Sequence, residues 1–268
     1  MGFDEVMLLG LAGICAVFLC VNASGSDNDT TILEGHGWDL ARATFYGPPD
    51  ANDGMELIFW FLVGGACGYT NVFQQGYGQE TTALSTALFN DGAACGACFE
   101  IVCVNAPQAC KKGVIRVTAT NFCPPDYSKT QDLWCNPPQK HFDLAQPMFL
   151  KIAEYRAGVV PVAYRRVKCG KRGGIKFVMG GNNYWTLVLV YNVGGVGDVK
   201  SVRVRSSGSD WTWMSRNWGQ NWQLTQSLLG KTLSFEVTTS DGSVMQEIDV
   251  VPSSWGFGMT FEGKYNFH

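Results

Sequence analysis

Where the cysteines stand constrains this chain more than any other feature of it. Ten occur; Cys15 and Cys20 lie in an apolar leader, and the other eight all fall between Cys67 and Cys169. An even set of eight behind an export-like leader reads as four disulfides, with the connectivity left open by spacing alone. Cys95-Gly96-Ala97-Cys98 also fits a zinc or redox C-x-x-C. That reading is the weaker one: no second C-x-x-C exists, and His36, His141 and His268 lie away from it. No metal or organic cofactor is implied. Cysteines stop at Cys169, and Gly170–Gly174 (G-K-R-G-G) follows as a polar, glycine-rich hinge. It is the best domain boundary in the chain.

Val6–Val21 is a nearly unbroken apolar run, and Val21-Asn22-Ala23 offers small residues for cleavage. Met1–Glu5 holds two acids and no Lys or Arg, so a membrane anchor is the rival reading. At roughly 16 residues the run is short for a span. Residues 1–23 therefore read as a secretory signal, and 24–37 as a polar, mobile segment with a glycosylation sequon at Asn28. The mature chain is expected to be a secreted monomer with no integral membrane span. Net charge is −3 with no long basic run, which argues against a nucleic-acid partner.

Short alternating runs between Gly-rich turns favour strands over helices. Before the hinge, Trp38–Tyr46, Cys95–Val104, Val114–Thr120 and Val159–Val167 read as strands. Thr44 and Tyr46 share one face of the first by the two-residue period; Tyr46 is either a core ring or a ligand contact. Met55–Val63 is almost wholly apolar yet lacks strand alternation and is too short to span a bilayer as a helix. After the hinge, Ile175–Met179, Tyr184–Val193, Val199–Ser206, Leu233–Thr239 and Val244–Val251 are strand candidates, enough for a small sandwich. Six tryptophans (Trp185, Trp211, Trp213, Trp218, Trp222 and Trp255) crowd this part. Exposed rings of this kind stack on sugar faces, while buried ones are core.

One stretch concentrates chemistry: Asn136–Pro147, N-P-P-Q-K-H-F-D-L-A-Q-P. Met148, Phe149, Ile152 and Tyr155 then follow a helical period, with Gly158 as a stop. Asp143 just ahead of a helix is either its cap, paired with Gln146 as in a capping box, or a working carboxylate. In the capping case Pro147 would be the fourth helical residue, a poor place for it.

Ala43–Gly47 (A-T-F-Y-G), Gly64–Tyr69 (G-G-A-C-G-Y), Leu84–Phe89 (L-S-T-A-L-F), Cys95–Cys103, Ala119–Pro125 (A-T-N-F-C-P-P), Trp134–Pro138 with His141–Pro147, Val160–Val167 and Ser215–Trp222 (S-R-N-W-G-Q-N-W) carry a family resemblance. Taken in order they cover nearly the whole mature chain, which resembles the plant expansins, most closely the α-type. The resemblance implies a mainly β fold. Residues 38–169 would form a six-stranded double-psi β-barrel similar to family-45 endoglucanases. Residues 170–174 would be the linker, and 175–268 an immunoglobulin-like β-sandwich that binds polysaccharide. It implies a protein of the plant cell wall that loosens contacts between cellulose and xyloglucan at acidic pH without hydrolysis.

His141-Phe142-Asp143 matches the family's motif, with Asp143 aligned to the general acid of the related hydrolases. Thr44 and Tyr46 match groove residues, His141 and Asp143 are expected to bind polysaccharide with them, and Trp185 and Trp218 match binding aromatics, with either Tyr184 or Trp185 as the exposed ring of its pair. The resemblance also implies disulfides Cys67–Cys95, Cys98–Cys169, Cys103–Cys110 and Cys123–Cys135. Two stretches depart from the pattern: an apolar insertion, Glu56–Val63, near the groove, and a tail, Glu262–His268, of no evident role. The rival readings are an inverting endoglucanase and a pure carbohydrate-binding protein. The first needs a second carboxylate roughly 6.5–9.5 Å from the acid. Asp50 and Asp53 are the candidates, and the family pattern argues that this base is missing.

Overall fold

A computed structural model describes residues 37–47, 65–131 and 133–268. The expected signal, the Asn28 sequon, Asp50, Asp53 and the Glu56–Val63 insertion lie outside the described residues.

Six strands close into a barrel: β1 (Asp39–Tyr46), β2 (Thr81–Leu84), β3 (Cys98–Cys103), β4 (Ile115–Phe122), β5 (His141–Ala145) and β6 (Val160–Val167), in the order β1-β5-β2-β4-β3-β6. The pairs β1/β5 and β2/β4 are parallel and the other four antiparallel. Among the described residues two helices serve this barrel, α1 (Thr86–Phe89) and α2 (Gln146–Ile152). Its core is built from the inward positions of the strands, among them Phe99, Ile101, Val117, Phe142, Leu144 and Val162, closed at one side by Met148, Phe149 and Ile152 of α2.

Eight antiparallel strands follow: β7 (Lys176–Asn182), β8 (Trp185–Tyr191), β9 (Val199–Ser206), β10 (Thr212–Trp218), β11 (Asn221–Leu224), β12 (Leu233–Thr239), β13 (Val244–Val251) and β14 (Thr260–Glu262). They form one sheet ordered β13-β12-β9-β10-β11-β8-β7-β14. β10 pairs with β9 through Thr212–Met214 and with β11 from Ser215 onward, with a bulge between Arg216 and Trp218. That change of partner folds the sheet over on itself, since a bulge bends and twists its strand. Phe177 of β7 consequently stacks on Phe235 of β12, with ring centroids 4.7 Å apart, and the result is sandwich-like.

Several local readings need correction. Asp143 is no helix cap: it lies inside β5, α2 starts at Gln146 behind Ala145, and no side chain caps it. Pro147 is then the second helical residue, where the absent N–H costs nothing. The helix stops at Ile152, and Tyr155–Ala157 is a separate tight turn. The strand expected from Cys95 begins only at Cys98. β10, β11 and β14 carried no expectation; β10 and β11 are rich in tryptophan and asparagine, and the third is short. Cys95 and Cys98 hold neither zinc nor each other, being bonded to Cys67 and Cys169 respectively; Cys103–Cys110 and Cys123–Cys135 complete the four disulfides. The tail has a clear place. Asn266 accepts from the N–H of Gly194 and donates to the carbonyls of Gly173 and Asn192, so it ties the linker to the end of β8.

The barrel and the folded sheet share a tight seam. Leu189 and Tyr191 of β8 pack into the barrel's core cluster. Gly96 and Gly197 meet backbone to backbone across the seam, and a Cβ on either would collide with the other's carbonyl oxygen. Gln220 reaches over to donate to the Cys95 carbonyl at 2.7 Å, and its backbone N–H donates to the Cys67 carbonyl at 3.0 Å.

Candidate functional site

The pleat of β5 decides what the site contains. Phe142 and Leu144 point into the barrel and are fully buried, so His141 and Asp143 must face the other way. In β1, Ala43 is buried in the barrel, which turns Arg42, Thr44 and Tyr46 to the same outer side. Parallel pairing puts Arg42 opposite His141 and Thr44 opposite Asp143. Residues almost a hundred positions apart thereby become neighbours.

The Thr44 hydroxyl donates to Asp143 Oδ1 at 2.7 Å and lies 2.8 Å from His141 Nε2. Asp143 is half-buried, and its backbone carbonyl accepts from Thr82 Oγ1 at 3.0 Å. Burial pushes the Asp143 carboxyl above its usual range, and the Thr44 hydrogen bond offsets part of this. His141 is 1% exposed, and its Nδ1 has no partner among the described residues. Burial first, and the Arg42 charge second, push its imidazole down to about 4. Burial also raises the Tyr46 phenol, which hydrogen-bonds Thr81 and feels the charge of Asp143.

Two residues belong here that the sequence did not single out. Trp134 lies over His141 with ring planes 19° apart and centroids 6.5 Å apart, and the Arg42 guanidinium sits 4.3 Å above the Trp134 ring. The half-buried Trp134 thus contacts both His141 and Arg42, and the three side chains wall the site. The Arg42–Trp134 contact joins β1 to a loop, so periodicity could not have revealed it.

A track leads from the carboxylate to the second sheet. Asp143 pairs with Ala83 of β2, and Ala83 with Asn121 of β4, two strand spacings or about 10 Å in all. Asn121 Oδ1 accepts from the Ala66 N–H at 2.8 Å. Two residues on, Gly68 abuts Trp218 and Asn221, leaving no room there for a side chain. Trp218 is 45% exposed at this seam. On β8, Trp185 is half-buried on the outer face, while Tyr184, in the turn before it, is 84% exposed. Tyr184 is therefore the open ring of the pair. Trp222 and Trp255 are core; Trp213 is largely exposed and Trp211 half-buried.

Residues 175–252 match the family described as Expansin C-terminal domain, and residues 81–164 the family described as Lytic transglycolase. Expansin-A23 of Arabidopsis thaliana is 56% identical over 230 residues, 86% of this chain and 81% of that one. Expansin-A32 of Oryza sativa subsp. japonica is 44% identical over 271 residues, 97% and 98% of the two chains. Among solved structures, a mutant Clavibacter michiganensis expansin in complex with cellohexaose shares the fold, with a TM-score of 0.63 at 18% identity, covering 86% of this chain and 98% of that one. Identity of this extent with the curated relatives, over most of both chains, shows that the chain belongs to the expansin family.

Proposed function

We propose that this protein is secreted to the plant cell wall, where it binds cellulose and hemicellulose and loosens non-covalent contacts between them at acidic pH without hydrolysis. A glucan would lie across the Thr44–Tyr46–Asp143 face and continue past Trp218 toward Trp185 and Tyr184; His141, expected to bind polysaccharide, is 1% exposed beneath Trp134 and stands behind that face. The observation that carries the reading is a half-buried carboxyl, raised by burial and held by Thr44, at one end of a track that leads to exposed aromatic rings. A carboxylic acid kept neutral by its surroundings can donate a hydrogen bond to a sugar hydroxyl. Exchanging one hydroxyl partner for another loosens two polymer chains without breaking a covalent bond. The bacterial relative crystallised with cellohexaose supports a β-glucan as ligand.

Asp143→Asn in a creep assay on heat-killed wall strips tests this reading, alongside cellulose binding and reducing-sugar release from amorphous cellulose. The expected result is lost extension, largely retained binding and no sugar release from either protein. Sugar release that the substitution abolishes would instead make this an inverting endoglucanase, with its base outside the described residues. Extension that survives the substitution would leave only a carbohydrate-binding role.

A further inference from the structure

We infer that His141 is a positioning residue: it fixes the direction of the Thr44 hydroxyl and thereby sends the acidic proton of Asp143 to Oδ2. The inference rests on the reading in which protonated Asp143 donates to a sugar.

The Thr44 hydroxyl has two close partners and one proton. With Asp143 ionised, the carboxylate has no proton to offer, so Thr44 donates to Oδ1. The same oxygen must then accept from His141, which places the imidazole proton on Nε2. Nδ1 is left as a bare lone pair, and it is the ring nitrogen that lacks a partner among the described residues.

When Asp143 takes up a proton, two arrangements compete. In one, the proton sits on Oδ1 and donates to Thr44, the hydroxyl reverses to donate to Nε2, and the imidazole carries its hydrogen on Nδ1. The imidazole is neutral throughout; its Nε2 proton passes to Thr44 as the Thr44 proton passes to Asp143, and the incoming proton lands on Nδ1. In the other, the proton sits on Oδ2 and nothing else moves. The first arrangement buries an N–H without an acceptor, a rarer and costlier defect than an unpaired lone pair. Burial of Nδ1 therefore selects the second. Thr44 keeps pointing at Oδ1, and Oδ2 becomes the donor.

The groups around the relay leave this choice to hydrogen bonding. Arg42 and Tyr46 face it from β1, Thr81 and Thr82 from β2, and Trp134 from the loop ahead of β5. Burial first, and the positive charge of Arg42 second, oppose a charged imidazole, so above about pH 4 the ring is a neutral donor.

The experiment is 15N NMR on the full chain labelled at histidine, through the titration of Asp143 followed by its carboxyl 13C shift. The His141→Gln spectrum assigns the signals. The expected result, at pH values above the imidazole's own titration at about 4, is a protonated Nε2 and a pyridine-type Nδ1 that keep their roles as Asp143 takes up its proton. Exchange of the two roles as Asp143 titrates overturns the inference, as does an imidazolium in the same range. In the wall assay, His141→Gln, whose amide N–H can replace Nε2–H, is expected to retain extension. His141→Leu is expected to lose it while still binding cellulose; equal extension by the two variants also overturns the inference. Should the Leu variant fail to fold, the spectra of the unsubstituted chain still decide. Failure of the parent reading looks different: Asp143→Asn then extends walls, whatever tautomer His141 shows.

Discussion

The Gly96–Gly197 seam makes the barrel and the folded sheet one unit, and a matched pair of substitutions measures how much it contributes. Gly197 has φ +82° and Gly208 has φ +78°, so alanine is strained alike at both, by about 1–2 kcal/mol. Their surroundings differ. A Cβ at Gly208 meets nothing within 4 Å, whereas at Gly197 it collides with the Gly96 carbonyl and with Cys169 Sγ. Neither obstacle yields readily, since Cys169 is disulfide-bonded to Cys98 and Gly96 is backbone. Overpacking of this kind costs about 1–3 kcal/mol. If the seam opens to relieve it, the buried Gln220–Cys95 hydrogen bond is lost for about 1–3 kcal/mol more. Gly208→Ala should thus cost about 1–2 kcal/mol and Gly197→Ala about 2–5 kcal/mol, or about 3–8 kcal/mol if the seam opens. Urea unfolding of both variants, monitored separately by barrel and sheet tryptophans, reads the difference. Gly197→Ala should also separate the two transitions. Equal losses in the two variants, with one shared transition, would refute the idea that the seam is a rigid contact.

Three further outcomes are expected. His141 titrates at about 4 in the folded chain against 6.5 when free, so the unfolded chain binds more protons between those values and stability falls as pH drops through them. The loss is about 3 kcal/mol, and denaturant titrations at pH 6.5 and pH 4 should show it reduced in His141→Gln. The raised Asp143 carboxyl acts with the opposite sign and is common to both proteins, so parallel profiles would contradict the buried-imidazole account. Asn266→Ala removes the bond to Gly173 of the linker together with those to Asn192 and Gly194, and should cost about 2–3 kcal/mol and speed proteolysis at 170–174. Unchanged cleavage would deny the tail its clamping role. Trp218→Ala should weaken cellulose binding by about 1 kcal/mol, roughly fivefold in Kd, by depletion isotherms; unaltered binding would remove the seam from the glycan path.

Much of the fold was legible locally. The bounds read for Val199–Ser206, Leu233–Thr239 and Val244–Val251 coincide with β9, β12 and β13. In sequence β9 and β12 alternate and run into Gly208 and Asp241-Gly242 turns, and β13 starts just past the second of these, so nearest-neighbour chemistry sufficed. The strand β5 was hidden because Pro137, Pro138 and Pro147 bracket it and a helical period begins right after it. β11 was hidden because Asn221–Leu224 has neither length nor β-branched residues.

The site divides along the same line. Sequence by itself determined that His141 and Asp143 lie two apart, that Thr44 and Tyr46 lie two apart, and that each pair shares a side if its segment is a strand. Only the closed barrel determined that the two pairs meet, because parallel pairing of β1 with β5 joins residues 97 and 99 positions apart. The same closure decided that Asp143 serves no helix, that Trp134 covers His141, and that Trp218 stands at the seam. The physical reason is range: side-chain period and turn preference act over a few residues, whereas register between distant strands depends on which faces the finished core must bury.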